Sequence, residues 1–279
     1  MRTFAILRDE VFSPNSVDAD REILSLTAQR VGEALHTKVD LVEEKHLASD
    51  DFMADEMDNQ PTLWLSMARS NKALRFLRER EEHGQWVVNS AHAVEACRRS
   101  VVNRLMGDNG IPVPPSSGTY GCWLKRGDIA AQTIDDVVFA ENEEAVKNGF
   151  EAFRKRGIQD VVVSAHIPGD LIKFYGVADT GFFKVYYPTA DGGSKFGHEQ
   201  RNGKPHYYTF DRDNLMRMAE KTAMLTRTWV YGGDAVVDSD GRFYIIDFND
   251  WPSFSRCKSE AADAIKTLVL RQLDKNITK

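Results

Sequence analysis

Two acidic residues and an asparagine stand in a pair of short apolar runs near the end of the sequence. The runs 233–238 and 243–248 are joined by Asp-Ser-Asp-Gly, which is typical of a hairpin turn. Asp234 begins the first run, whereas Asp247 and Asn249 end the second and share one face of a strand. Antiparallel pairing would bring Asp234 across from them. Two carboxylates and an amide oxygen are hard ligands, so the hairpin predicts a Mg²⁺ site that also binds phosphates.

Two lysines lie in or after apolar stretches. Lys125 follows the stretch 120–124, where its ammonium group can reach a phosphate as a point charge. Lys173 is predicted in the middle of a strand among aromatic and aliphatic residues, where a charge is costly unless it meets a partner. A bound phosphate or carboxylate would be such a partner, but the lysine can also extend along its apolar stem to the surface. The residues alone leave both interpretations of Lys173 open.

The elements that must position these residues begin with an alternation of strands and helices. The apolar runs 3–7, 38–42, 63–67 and 86–88 predict strands, and the amphipathic stretches 18–35 and 71–83 predict helices. Strands that alternate with helices predict a parallel sheet. We therefore expect an N-terminal α/β domain over residues 1–90.

The rest of the sequence predicts an α+β organisation. The predicted helices are 92–109, 143–156, 213–227 and 259–273, and the predicted strands are 120–125, 136–139, 161–167, 170–177 and 182–187, followed by the hairpin. Residues 188–205 are rich in glycine, lysine and other polar types, which indicates a long loop. Loops of this length are often functional lids or else disordered, and the sequence favours neither.

Composition excludes several classes of protein. The formal net charge is −6, whereas a general nucleic-acid-binding protein is usually basic, so we expect no nucleic-acid partner. The three cysteines are widely spaced and form no CxxC pair, which argues against a zinc site or a disulfide framework. No segment approaches the ~18 apolar residues of a membrane span, and the first residues lack the apolar run of a signal peptide. We therefore expect a cytoplasmic enzyme with no membrane partner.

Taken in order along the chain, these features resemble the ATP-grasp superfamily. The order is Asn89-Ser90 after a strand, Gly110-Ile-Pro-Val-Pro, the strand-end Lys125, a basic residue at Lys173, and the Gly-x-Asp … Asp-x-Asn hairpin. The resemblance covers most of the chain from about residue 60 onward. It implies an ATP-grasp architecture of α/β and α+β type, in which the N-terminal parallel-sheet domain precedes two α+β subdomains that clasp ATP. We place these subdomains at residues 91–180 and 181–279, and the second carries the metal site.

The resemblance also implies roles for individual residues. Lys125 is similar to the lysine that contacts the ATP phosphates, and Arg99 stands where a second such lysine is usual. The implied metal ligands are Asp234, Asp247 and Asn249, of which Asp247 replaces a more common glutamate. The segment whose backbone would hold adenine is Ser164, Ala165, His166 and Ile167.

Two features depart from the family pattern. The adenine segment commonly carries a Gln-Glu pair where this chain has Ser-Ala, a change that spares backbone recognition but removes a side-chain contact. The loop after Lys125 is short and lacks the usual glycine-rich stretch over the phosphates. The resemblance therefore predicts Mg²⁺ and ATP binding without specifying how the triphosphate is covered.

Two reactions are compatible with the resemblance. Most family members are ligases that phosphorylate a carboxylate and let an amine or thiol attack the acyl phosphate, and we favour a carboxylate–amine ligase because such members are the more numerous. Ligases usually have an arginine at the position of Lys173, whereas inositol polyphosphate kinases have a lysine there. The alternative is therefore a kinase that phosphorylates a hydroxyl of an anionic polyol. In either reaction Lys173 would be the catalytic cation beside a small-molecule acceptor.

A polyanionic acceptor would need many cations. Candidates from the sequence are Arg98, Arg99, Arg126, Lys184, Lys195, His198, Arg201 and Lys204. A non-catalytic nucleotide-binding protein is a third class, and the complete set of metal ligands argues against it. A homodimer would be the commonest assembly for such an enzyme, and the sequence specifies neither the assembly nor the acceptor.

Overall fold

The N-terminal unit is built on a parallel sheet. The computed structural model describes residues 1–13, 16–47, 60–129, 131–188 and 201–277. The sheet has the order β2-β1-β3-β4. Its elements are β1 (Arg2–Leu7), α1 (Val17–Leu35), β2 (Val39–Glu43), β3 (Thr62–Ser66), α2 (Asn71–Glu82) and β4 (Trp86–Val88). All of β3 is buried, as expected for a central parallel strand, and the predicted α/β arrangement is confirmed.

Two antiparallel sheets follow. The first has the order β6-β5-β7 and contains β5 (Cys122–Arg126), β6 (Val137–Ala140) and β7 (Val161–Ala165). The second has the order β11-β10-β8-β9 and contains β8 (Asp170–Val177), β9 (Phe182–Tyr186), β10 (Val230–Val237) and β11 (Phe243–Asp250). The mixed α/β and α+β fold class predicted from the sequence is therefore confirmed. The hairpin strands are longer than predicted, because β10 begins at Val230 and β11 continues to Asp250.

Five more helices complete the described fold: α3 (Ala91–Ala96), α4 (Arg99–Asp108), α5 (Glu143–Lys155), α6 (Arg212–Thr226) and α7 (Lys258–Ile277). The prediction of a single helix over residues 92–109 is wrong. Arg98 has the extended backbone angles φ −57° and ψ 134°, which end α3 before α4 begins. Apolar periodicity continues across the break, so the sequence pattern did not reveal it. The break places Arg99 at the first position of α4.

One hydrophobic core joins the parallel sheet to the hairpin sheet. It contains Ile23 of α1, Leu65 of β3, Val177 of β8, Val230 of β10 and Ile265 of α7, all at most 2% exposed. Helix α7 packs directly against α1. Helix α7 therefore joins the parallel sheet to the hairpin sheet, and this shared core fixes the spacing between the two sheets.

The predicted division at residue 180 falls inside a region of continuous pairing, since β8 shares its sheet with β9, β10 and β11. The chain passes from one antiparallel sheet to the other between Ala165 and Asp170. The assignment of residues 1–90, 91–180 and 181–279 as domains stays a prediction. Most of the predicted loop 188–205, namely residues 189–200, lies outside the described residues. Within the described ranges, no helix is long and apolar enough to cross a membrane.

Candidate active site

Three charged residues form a row across neighbouring strands of the hairpin sheet. Lys173 of β8 lies opposite Asp234 of β10, and Asp234 lies opposite Asp247 of β11. Lys173 Nζ donates to Asp234 Oδ1 at 3.1 Å. Asn249 Nδ2 donates to Asp247 Oδ2 at 3.2 Å, as expected for residues on one face of a strand. The expectation that Asp234 begins its strand is wrong, because it lies in the middle of β10.

The close approach of β10 and β11 at this row depends on a glycine. A Cβ atom on Gly233 would lie 2.2 Å from the carbonyl oxygen of Asp247 and 2.5 Å from the ring of Phe174. Both distances are far below van der Waals contact. A register shift between Asp234 and Ala235 follows immediately in the same strand pair. Gly233 therefore allows the two carboxylates to lie side by side.

The donor set of this row suits a hard divalent cation. Asp234 and Asp247 offer carboxylate oxygens, and Asn249 can offer its amide oxygen because its nitrogen points to Asp247. Among the described residues, no group of three or more His, Cys, Asp or Glu side chains is arranged to hold a metal ion. A cation bound here would thus have few protein ligands. Mg²⁺ tolerates this, since it usually completes its octahedron with water and phosphate oxygens.

Two further cations face the row from the neighbouring elements. Arg99 Nη2 of α4 lies 3.7 Å from Asp247 Oδ2, and Arg99 Nη1 donates to the carbonyl of Arg126 at 2.6 Å. Lys125 Nζ of β5 donates to the carbonyl of Ile246 at 3.1 Å. These contacts hold both cationic groups beside the middle of β11, next to Asp247.

The electrostatics of Lys125 and Asp247 are coupled. Burial, with the positive charge of Arg99 beside it, lowers the pKa of Lys125 to about 8, although Asp247 and Asp234 act in the opposite direction. Burial alone would raise the pKa of Asp247, but Arg99, Lys125 and the hydrogen bond from Asn249 together lower it below its usual value. Asp247 is thus held as a carboxylate at neutral pH. An anion bound near Lys125 would favour its protonated form and raise its pKa.

The segment Ser164, Ala165, His166 and Ile167 crosses the end of the first antiparallel sheet. Ser164 and Ala165 end β7, and the strand stops before His166, two residues earlier than predicted. The N–H groups of Ala165 and His166 donate to the carbonyls of Pro115 and Gly121 at 2.7 and 2.9 Å. Ile167 N–H donates to no acceptor among the described residues, so it remains able to bind a ligand. The Ile167 carbonyl accepts from Asn202 Nδ2 at 3.2 Å.

His166 lies in an aromatic corner of the structure. Trp123 Nε1 donates to His166 Nδ1 at 3.2 Å, and the ring of Phe139 meets the imidazole edge-on at a centroid distance of 5.7 Å. Burial and the positive charge of Arg201 lower the pKa of His166. The imidazole is therefore neutral at physiological pH, with the proton on Nε2. An aromatic corner with a neutral imidazole suits a heteroaromatic ring.

One cavity connects all of these residues. It has a volume of about 610 Å³ and lies between the three sheets, within the range usual for small-molecule sites. Every residue predicted for the site lines it: Arg99, Lys125, Ser164, Ala165, His166, Ile167, Lys173, Asp234, Asp247 and Asn249. The aromatic corner with Trp123 and His166 is part of its wall, as is the charged row. The structure thus brings together residues that are up to 150 positions apart in the sequence, from Arg99 to Asn249.

Sequence reasoning missed a second charged group in the same wall. Arg8, Asp20, Arg69 and Asp250 line the cavity where the parallel sheet meets the hairpin sheet. Arg8 directly follows β1, and Arg69 follows β3. A signal was available, because ligands of parallel α/β sheets bind beyond the carboxyl ends of the strands, where these arginines stand.

The parallel α/β unit and the two antiparallel sheets together match solved structures, among them ATP-grasp proteins. The structure is similar to D-alanyl-alanine synthetase A from Vibrio cholerae, with a TM-score of 0.63 and 10% identity over 91% of this chain and 90% of that chain. An ATP-grasp RimK-domain protein from Sphaerobacter thermophilus matches with a TM-score of 0.63 and 19% identity, over 96% and 99% of the two chains. The ATP-grasp ligase PsnB, solved with a precursor variant, Mg and ADP, matches with a TM-score of 0.57 and 12% identity over 94% and 96%.

At these identities the similarity defines the fold, and the chain has the ATP-grasp fold. No model of a protein family matches the sequence. No curated protein matches it either. The activity of this chain must therefore be argued from its own residues.

Proposed function

We propose that the protein is a Mg-ATP-dependent carboxylate–amine ligase that acts through an acyl phosphate. The observation that carries the proposal is the single cavity in which two carboxylates and an amide face three cations. It adjoins an aromatic corner where the Ile167 N–H has no acceptor within the described ranges. The ATP-grasp ligases among the similar structures support the same reaction class. PsnB is an ATP-grasp ligase, and we extend this reaction class to the present chain as a proposal.

The aromatic corner and the charged row would bind different parts of Mg-ATP. The Ile167 N–H and the neighbouring backbone would hold adenine, with Trp123 and His166 providing the apolar wall. Lys125 and Arg99 would bind the phosphates, because both are fixed beside the row and carry positive charge. Asp234, Asp247 and Asn249 would hold Mg²⁺, which supplies charge neutralisation of the triphosphate.

The proposed chemistry has two steps that balance without a further reagent. An oxygen of the acceptor carboxylate attacks the γ-phosphorus, and the bond to the β-phosphate oxygen breaks to release ADP. An amine then attacks the acyl carbon, inorganic phosphate leaves, and the amine loses a proton to water. Lys173 would stabilise the charge on the transferring group, since its Nζ is the cation closest to Asp234.

Most of the basic residues that the sequence offered for a polyanionic acceptor do not line the cavity, so these candidates give the kinase alternative no support. Of the candidates within the described ranges, Arg99 alone lines the cavity. Arg126 pairs with Asp128 at 2.6 Å, and Lys184 pairs with Glu260 at 2.5 Å. Arg201 lies over the ring of Phe139 at 3.7 Å. Lys195 and His198 fall outside the described residues.

The test is an incubation of the purified protein with Mg-ATP, a pool of carboxylates and hydroxylamine. A ligase forms a hydroxamate together with free phosphate, because hydroxylamine intercepts the acyl phosphate. The control is Asp247→Asn, which should form neither product. Consumption of ATP with a phosphorylated polyol and no free phosphate would establish the kinase and refute the ligase.

Cellular location and assembly stay predictions. Cys97, Cys122 and Cys257 are buried free thiols, which suits a reducing compartment such as the cytoplasm. The expected absence of nucleic-acid and membrane partners rests on the sequence. A homodimer would be identified by light scattering of the purified protein.

A further inference from the structure

Two arginines of the N-terminal unit hold the segment that directly follows the proposed metal ligand Asn249. Arg69 Nη2 donates to Asp250 Oδ1 at 2.7 Å and to the Asp250 carbonyl at 3.1 Å. Arg8 Nη2 donates to the carbonyl of Trp251 at 2.6 Å. The two residues after Asn249 are thus bound by side chains from the carboxyl ends of β3 and β1.

The arginines are themselves held by buried acids. Arg8 Nε lies 3.5 Å from Asp20 Oδ2, and both residues are at most 8% exposed. Glu44, which is 3% exposed, accepts from the backbone N–H groups of Asp9 at 2.6 Å and Arg69 at 2.8 Å. Both loops that carry the arginines are therefore tied to one carboxylate. Buried charges with several partners of this kind have few alternative arrangements.

The segment that follows Asn249 contains two residues with positive φ angles, which their side chains disfavour. Trp251 and Phe254 are fully buried and have φ angles of 32° and 47°, in the region where side chains other than glycine are disfavoured. Conformations of this kind persist when the surrounding structure determines them. Here the surroundings include the contact from Arg8 and a hydrogen bond from Trp251 N–H to the carbonyl of Val230 at 2.9 Å.

We propose that Arg69 and Arg8 are positioning residues that hold the end of β11 in the geometry needed for Asn249 to bind the metal. Their action passes through Asp250 and Trp251, so neither arginine touches the metal. The N-terminal unit, which supplies none of the proposed metal ligands, thereby controls metal affinity. This inference rests on the proposed function, because it assumes that Asp234, Asp247 and Asn249 bind Mg²⁺ with the nucleotide.

The experiment measures binding of Mn²⁺ by the full chain in the presence of ADP, using electron paramagnetic resonance of the free ion. Arg69→Met should weaken Mn²⁺ binding about tenfold, which corresponds to about 1.4 kcal/mol, and Arg69→Lys should recover part of the loss. Binding of ADP without metal should change less than about twofold. The matched control is Arg80→Met, because Arg80 is also buried in the N-terminal unit, at 5% exposure, and does not line the cavity.

The outcomes separate this inference from the proposed function. Equal loss of Mn²⁺ affinity in Arg69→Met and Arg80→Met would show general destabilisation and overturn the positioning role. Unchanged affinity in folded Arg69→Met would also overturn it, while leaving the ligase proposal standing. If Arg69→Met does not fold, Asp250→Asn weakens the same ion pair with little change of shape, and the same two criteria apply to it. A wild-type protein that binds no Mn²⁺ with ADP would refute the proposed function itself.

Discussion

Lys173 and Asp234 lie directly opposite each other on β8 and β10 and form an ion pair of 3.1 Å in the wall of the cavity. The ammonium group of Lys173 thus has a carboxylate partner within the chain, and its contact with a bound phosphate or carboxylate stays a prediction. Lys173, the proposed catalytic cation, is therefore paired with Asp234, a proposed metal ligand. We expect a cation bound at Asp234 to compete for the same oxygen and to release Lys173 Nζ toward a transferring phosphoryl group.

Replacement of Lys173 tests this relationship. Lys173→Met should reduce kcat by about 10²–10³, the usual loss when one charge-stabilising donor is removed, and Lys173→Arg should retain more activity. The measurement is phosphate release from ATP with a carboxylate acceptor. Lys184→Met is the matched control, because Lys184 lies on the adjacent strand β9 and does not line the cavity. A normal kcat in Lys173→Met would contradict the catalytic role.

Asp247 and Asn249 are each expected to be essential for Mg²⁺-dependent turnover. Asp247→Ala and Asn249→Ala should each abolish ATP consumption while the unfolding transition stays cooperative, because their ligand atoms face the cavity and not the core. The control is Asp240→Ala, an acid in the exposed turn of the same hairpin, with 68% of its side chain accessible. Turnover at the wild-type rate in either ligand variant would remove that residue from the metal site.

The sequence predicted the parts of the site that follow from local spacing. Asp247 and Asn249 share a face because side chains alternate along a strand, and the hairpin turn brings β10 beside β11. Helix and strand types were also predictable, because each element carries its own apolar period. The break at Arg98 was not, since the apolar period continues across it and no glycine or proline marks it.

Contacts between distant parts of the chain explain what was missed. Arg8 and Arg69 are 243 and 181 residues away from the partners that they bind after β11. No spacing rule connects such positions, and each arginine alone resembles an ordinary charge after a strand. Their low exposure and their acidic partners, which make them distinctive, are produced by the tertiary fold.

Lys125 predicts a pH dependence of nucleotide binding. Its pKa of about 8 lies below the usual 10.5, because burial and Arg99 disfavour the charged form. A bound polyphosphate favours the charged form and raises this pKa, so the protein should take up a proton when ADP binds above pH 8. Affinity should therefore fall as the pH rises through about 8.

Calorimetric titration of ADP at pH 8.5 in two buffers of different ionisation enthalpy measures this proton uptake. Lys125→Met should abolish the uptake and the dependence of affinity on pH in this range. Lys147→Met, an exposed lysine of α5 remote from the cavity, should leave both unchanged. Proton uptake that persists in Lys125→Met would assign the titration to another group.

Gly233 should determine both stability and metal binding, because its missing side chain allows β10 and β11 to approach. A methyl group in Gly233→Ala would meet the Asp247 carbonyl oxygen at 2.2 Å and the buried Phe174 ring at 2.5 Å. Overpacking of this kind costs about 1–3 kcal/mol of unfolding free energy. The backbone must move at Asp247 to relieve it, so Mn²⁺ affinity should fall in the same variant. Urea unfolding and Mn²⁺ titration measure the two effects.

Gly107→Ala is the control for Gly233→Ala, because it makes the same substitution away from the contact between β10 and β11. Gly107 lies in α4, and no heavy atom outside its own helix backbone and its chain neighbours lies within 4 Å of its added Cβ. Its replacement should stabilise the protein by about 0.4–1 kcal/mol, because alanine restricts the unfolded chain without strain in the helix. Mn²⁺ affinity should not change. If Gly233→Ala loses stability but binds Mn²⁺ normally, the spacing of β10 and β11 does not govern the metal site, and the ligands must adjust independently of the strands that carry them.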